Sequence, residues 1–158
     1  MLAGFMGAGK TTVGRLLAGS LRVPFLDSDH VIEARAGRSI PEIFAADGEP
    51  AFRALEHEVI ADLLGGPDVV LALGGGAAEH EETRKLLAFV PVVFLRVSYA
   101  EAMARVAGDG SRPMLARPDI TEVFQRRQAV YAGAATVTVD VDGRDPADVA
   151  QKILAVLP

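Results

Sequence analysis

Residues Gly4-Phe5-Met6-Gly7-Ala8-Gly9-Lys10-Thr11 fit the spacing G-x-x-x-x-G-K-[ST], with a short apolar run before them and an amphipathic stretch after them. Glycines at these positions let the backbone curl so that successive amides, those around Gly7, Ala8 and Gly9 among them, point inward at phosphate oxygens. The helix expected to follow adds its positive end to the same spot. Lys10 supplies a point charge for the β and γ phosphates of a nucleoside triphosphate, and Thr11 a hydroxyl for Mg²⁺, a hard cation that prefers oxygen donors. Thr12, next in line, is grouped with the nucleotide-contacting residues, with packing or capping as its plainer use. Phe5 and Met6 fill space around the loop.

A second group of candidates is Asp27-Ser28-Asp29-His30, at the end of an apolar run. Read as a strand, it puts Asp27 and Asp29 on one side, and in open α/β sheets the carboxyl ends of strands face the ligand crevice. One carboxylate, Asp27, suits a magnesium-bound water. The other, Asp29, suits an acceptor hydroxyl whose proton it takes or orients. The plain alternative is that both only cap the next helix. His30, His57 and His80 share no metal-ligand spacing and read as exposed helix positions. A third group is Gly74-Gly75-Gly76, where missing side chains let backbone amides approach a ligand. The stretch before it, Ala72-Leu73, lacks the acid often found at that strand end, so Asp27 is the nearest acid for the metal.

These groups must be positioned by a scaffold, and the pattern specifies one. Leu2 to Gly4, Val23 to Asp27, Val69 to Leu73, Val92 to Val97 and Thr136 to Val141 read as strands, and amphipathic stretches lie between them. Such alternation predicts a three-layer α/β/α fold with a central five-stranded parallel sheet of the P-loop NTPase type. Helix starts are signalled by Ser39 with Glu42, Ser98 with Glu101 and Asp119 with Glu122 at capping-box spacing, and by Pro50 and Pro146 at first-turn positions. The Gly- and Pro-rich segment Gly108 to Pro118 reads as a candidate lid.

The 158 residues suit one domain, with residues 28–56 as an acceptor-binding segment and about 107–118 as the lid. The net charge of −5 argues against a nucleic-acid partner, and no apolar run reaches the ~20 residues of a membrane span. The absence of cysteine excludes disulfides and thiolate metal sites. Lys10 and Arg15 interrupt the apolar start, which speaks against an export signal, so the expected setting is cytoplasmic. The expected state is a monomer acting on small molecules. With no asparagine anywhere, the Asn-Lys-x-Asp guanine-reading motif of GTPase switches is excluded. An enzyme that passes phosphate to a small molecule and a non-catalytic nucleotide-dependent regulator both fit the loop alone.

The phosphate loop, Asp27-Ser28-Asp29, Phe52-Arg53, the triple glycine, Ser111-Arg112-Pro113-Met114-Leu115 and Arg127-Gln128-Ala129-Val130-Tyr131, taken in order, resemble shikimate kinases over nearly the whole chain. The resemblance implies transfer of the ATP γ-phosphate to the 3-hydroxyl of shikimate, on the route to chorismate and the aromatic amino acids. It implies that Asp29 binds ring hydroxyls, that Arg53, Arg127 and the Gly74-Gly75-Gly76 turn hold the substrate, and that Arg112 is a lid arginine reaching the phosphates. Arg105 and the Arg144-Asp145-Pro146 turn match positions that flank adenine in the family, with ordinary solvated charge as the alternative. A gluconate-type or nucleotide kinase on the same scaffold is the nearest rival. One departure is the first strand, which begins at Leu2, closer to the loop than in relatives, and is expected to be shortened at its start.

Overall fold

The computed structural model describes residues 1–107 and 113–157. Five parallel strands form one sheet in the order β2-β3-β1-β4-β5, where β1 is Leu2–Ala3, β2 Phe25–Asp27, β3 Val70–Ala72, β4 Val93–Arg96 and β5 Val137–Asp140. All five lie inside the expected runs and are one to two residues shorter at one or both ends. β1 is central, with Leu2 opposite Ala72 on one side and Val93 on the other. It has only two residues, yet both are buried.

Among the described residues seven α-helices cover the sheet: α1 Lys10–Leu21, α2 Ser28–Ala36, α3 Ile40–Leu64, α4 Glu81–Leu87, α5 Tyr99–Val106, α6 Ile120–Ala134 and α7 Pro146–Val156. A 3₁₀ turn, Ala77–Glu79, follows the triple glycine. Of the segment expected as a lid, residues 108–112, Arg112 with them, lie outside the described residues. Pro113–Ala116 forms a second 3₁₀ turn. Among the described residues no helix is long and apolar enough to cross a membrane.

Two buried clusters result among the described residues. The larger joins the sheet to its helices through Leu2, Leu71, Phe94, Leu95, Val139 and Ile153. The smaller, Ile32, Ile43, Phe52 and Val59, lies between α2 and α3. α3 is two helices merged across a kink: Gly48 takes a non-helical φ of 83° and ψ of 168°, and Pro50 follows in the first turn of the second half.

Local signals at helix ends act unevenly. Ser39 and Glu42 form the full reciprocal box, with the Ser39 amide donating to Glu42 Oε2 at 2.7 Å. At α5 only half of it forms: the Glu101 amide donates to Ser98 Oγ, while the Glu101 carboxylate accepts from Arg105 Nε at 3.0 Å instead. The expected cap at Asp119 is absent. Its φ of −96° and ψ of 17° depart from the extended capping conformation, and its carboxylate accepts from Arg117 Nε at 2.8 Å. Pro146 opens α7 as expected, behind an Asp145 carboxylate that accepts from the Ala147 amide.

Candidate active site

The phosphate loop is seated from below by Phe5. Its ring is 1% exposed and meets Phe124 edge-on at 5.0 Å, a burial worth about 2–3 kcal/mol that ties the loop to the main core. Gly7 and Gly9 supply φ values of 76° and 90°, and a Cβ on Gly7 would stand 2.8 Å from the Ala102 carbonyl oxygen. Lys10 opens α1 and donates from Nζ to the Gly4 carbonyl at 2.6 Å, which holds the ammonium over the loop. The Ala8 amide donates to the Phe5 carbonyl at 3.1 Å and Ala8 is buried, so this residue shapes the loop from within.

A cavity of about 570 Å³ opens above the loop. From the loop and the start of α1, Gly7, Gly9, Lys10, Thr11 and Thr12 line it. Asp27, Asp29, Gly74, Gly75 and Arg127 are among its other lining residues. Thr12 is exposed at this surface, so packing does not describe it.

Asp27 and Asp29 reach the cavity together, though not by strand alternation. The strand stops at Asp27 and α2 begins at Ser28. Asp27 is the N-cap, accepting from the Asp29 amide at 3.0 Å, and Asp29 sits in the first helical turn. Burial, and then the neighbouring charge of Asp27, push the Asp29 carboxyl above its ordinary range, while Lys10 pulls the other way. Asp29 is thus a carboxylate of heightened basicity facing the same space as the Lys10 ammonium.

The triple glycine is packed from three sides. A side chain on Gly74 would collide with Asp29 Oδ1 and stand 2.9 Å from Glu56 Oε1. On Gly75 it would stand 3.0 Å from Arg127 Nη1, and on Gly76 it would collide with the Arg53 guanidinium. The three glycines therefore allow two carboxylates and two guanidiniums to converge on one turn. The turn is pinned by two further bonds: the Gly74 amide donates to the buried Ser28 Oγ at 2.8 Å, and Tyr131 Oη donates to the Gly75 carbonyl at 2.5 Å. Arg53 lies beyond Gly76 and borders a neighbouring cavity of about 520 Å³ with Glu79 and Arg126.

The shikimate kinase family model matches residues 6–158. The chain belongs to the shikimate kinase family. Curated shikimate kinases of similar sequence include those of Rhodococcus jostii, 42% identical over 99% of this chain and 96% of the relative, and Thermobifida fusca, 46% identical over 100% and 94%. Among solved structures, shikimate kinase from Acinetobacter baumannii in complex with shikimate superposes with a TM-score of 0.91 at 39% identity, covering 98% of this chain and 89% of that one. The enzyme from Aquifex aeolicus gives 0.85 at 38% identity, covering 98% and 92%.

Within this shikimate kinase family member, the remaining expected residues divide. Arg105 donates from Nη1 to the Gly7 carbonyl at 3.1 Å and from Nη2 to the Val141 carbonyl at 2.9 Å, tying the phosphate loop to the end of β5. That is a structural engagement, and ordinary solvated charge does not describe it. Arg144 and Pro146 are exposed and stand apart from the main cavity. His30 is exposed, as expected, and borders the cavity. His57 and His80 are not exposed: both are half-buried, and their Nδ1 atoms lie 3.4 and 3.2 Å from the Thr83 hydroxyl, a contact between α3 and α4 with no signature in spacing.

Residues that sequence reasoning missed are Ser28, Glu56, Glu79 and the role of Tyr131. Glu56 is 1% exposed and accepts from Arg53 Nη1 at 2.5 Å, while among the described residues its Oε1 has no partner. Burial first, opposed by Arg53, raises its pKa. The signal for Glu56 was its position one helical turn after Arg53. Glu79 is 48 residues from Arg127, and nothing local announced their pairing.

Proposed function

We propose that this chain transfers the γ-phosphoryl group of ATP to the 3-hydroxyl of shikimate, with the loop Gly4 to Thr11 on the nucleotide and Asp29, Arg53, Arg127 and the triple glycine on the acceptor. The carrying observation is one cavity lined by Lys10 and Thr11 together with Asp29, Gly75 and Arg127. Family membership and the 39% identical A. baumannii enzyme, whose structure is described as a complex with shikimate, support the choice of acceptor.

The chemistry follows from the donors. Loop amides and the Lys10 ammonium stabilise charge on the transferring phosphoryl oxygens, and most of the acceleration comes from such positioned charge. Asp29, made more basic by burial, takes the hydrogen of the 3-hydroxyl as that oxygen bonds to phosphorus and ADP leaves. Arg127 and Arg53 offer planar guanidiniums to a carboxylate, a geometry lysine does not reproduce. The Thr11 hydroxyl and Asp27 carboxylate, both oxygen donors on one cavity, suit Mg²⁺. When bound, the ion neutralises phosphate charge and orients the triphosphate. The whole chain acts as one kinase unit, in which residues 28–56 carry acceptor contacts. We read the enzyme as a cytoplasmic monomer.

The test is a coupled ADP-release assay with Mg²⁺ over shikimate, gluconate and nucleoside monophosphates. Shikimate alone should support turnover, and Lys10→Ala should lower kcat by at least about 10²-fold. Folded protein that consumes no shikimate in the presence of ATP overturns the assignment.

A further inference from the structure

Arg126 and Arg127 are neighbours on α6, so their side chains leave the helix about 100° apart. One carboxylate gathers both. Glu79, at the end of the 3₁₀ turn that follows the triple glycine, accepts from Arg126 Nε at 2.8 Å on Oε1 and from Arg127 Nε at 2.9 Å on Oε2. The partners differ in exposure: the Arg126 side chain is 55% exposed and that of Arg127 only 9%. A guanidinium removed from water to that degree needs a counter-charge, so the Arg127 bond is the one with structural consequence. The solvent-facing Arg126 contact is worth little alone.

The choice of atom matters. A guanidinium is a rigid plane, and a bond at Nε fixes its rotation about the end of the side chain. With Nε committed to Glu79, the Nη groups are the ones left to face elsewhere. Nη1 stands 3.0 Å from where a Gly75 side chain would begin, on the turn that borders the main cavity, which Arg127 lines. The Glu79 carboxylate is held ionised for this purpose: partial burial works against its charge, but the bond from Arg126 and the charge of Arg127 outweigh it and lower its pKa.

We propose that Glu79 is a positioning residue for the acceptor site, clamping Arg127 by Nε so that its Nη edge is presented to the substrate carboxylate at Gly75. The inference rests on the reading, given above, that Arg127 holds that carboxylate. Glu79 itself touches neither substrate.

The experiment uses the full chain and Glu79→Gln, which keeps the shape but removes the charge that serves both arginines. Shikimate KM should rise about five-fold, as should its calorimetric Kd without nucleotide, while kcat and the KM for ATP stay within about two-fold. In an Arg127→Ala background the same substitution should add nothing. Arg126→Ala, which leaves the Glu79–Arg127 bond intact, should keep the wild-type shikimate KM. An unchanged shikimate KM in Glu79→Gln, an equal rise in the Arg127→Ala background, or the same rise in Arg126→Ala each overturns the proposal. A separate readout is the ¹⁵N NMR signal of Arg127 Nε–H, expected to exchange slowly with solvent in wild type and Arg126→Ala and quickly in Glu79→Gln. Fast exchange in wild type overturns the clamp. A wild-type enzyme that ignores shikimate but shows the slow Nε–H signal overturns the assigned substrate, and with it the carboxylate role, while leaving the clamp in place.

Discussion

Gly76→Ala tests how the acceptor side is built. The backbone at Gly76, with φ −99° and ψ −4°, is open to any residue, so the effect of a methyl group is purely one of space. That methyl would overlap Arg53, standing 2.7 Å from Cζ and 2.8 Å from Nη1. The backbone is held by the bond from the Glu79 amide to the Gly76 carbonyl at 2.9 Å, so the guanidinium must give way. Displacing it strands Glu56, which is 1% exposed and whose second oxygen already lacks a partner among the described residues. Breaking a buried ion pair by removing one member costs about 3–5 kcal/mol. Glu56 offsets part of this by taking up a proton, since burial already raises its pKa, and the lower figure is the better one at neutral pH. In a domain of this size, about 3 kcal/mol corresponds to a fall in Tm of roughly 6–12 °C. If Arg53 holds the acceptor as proposed, loss of that charge-assisted contact should raise shikimate KM about ten-fold or more, with the KM for ATP unaffected. Differential scanning calorimetry and steady-state kinetics measure both. A Tm within about 2 °C of wild type, together with an unchanged shikimate KM, would refute the reasoning.

Other substitutions probe separate links. Asp29→Asn should reduce phosphoryl transfer by at least about 10²-fold while ATP still binds. It should also stabilise: the folded chain holds this carboxyl above its ordinary pKa, so wild type loses stability as pH rises through the raised value, and the amide does not. The Tm of the variant should exceed wild type at pH 7, and the gap should close near about pH 4; a lower Tm at pH 7 contradicts the assigned burial cost. Ser28→Ala leaves the buried Gly74 amide without its acceptor and should cost about 1–3 kcal/mol in denaturant unfolding, with faster hydrogen exchange at Gly74; wild-type stability would count against that bond. Gly19→Ala, in the last turn of α1 with nothing within 4 Å of the added methyl, should stabilise by up to about 0.5–1 kcal/mol, and any destabilisation would show the helix surface to be occupied.

Much of this was legible in the chain because the decisive signals are local. The five strands, the phosphate loop and the Ser39–Glu42 box depend on residues near one another, and each appears where its spacing placed it. Asp27 and Asp29 illustrate a sound conclusion reached by the wrong geometry: they do face one cavity, but through a helix cap and a helical turn, because Asp27 both ends the strand and caps α2. Asp119 failed as a cap because Arg117, two residues back, competes for its carboxylate. What could not be read were the long-range partnerships. Glu79 with Arg127, Ser28 with the Gly74 amide and Tyr131 with the Gly75 carbonyl span 46 to 56 residues and exist only once the sheet has brought its strand ends together.

The separation of the Ile32, Ile43, Phe52 and Val59 cluster from the larger core under the sheet has an evolutionary reading. The nucleotide grip is founded on the large core through Phe5, whereas the helices bearing Asp29 and Arg53 rest in good part on a small greasy seam of their own. Leu63 packs against both clusters, but away from that shared residue the seam can be repacked, and the helices on it re-angled toward a different alcohol, with little effect on the hold on the triphosphate. A scaffold partitioned this way can diversify what it phosphorylates while keeping its phosphate donor.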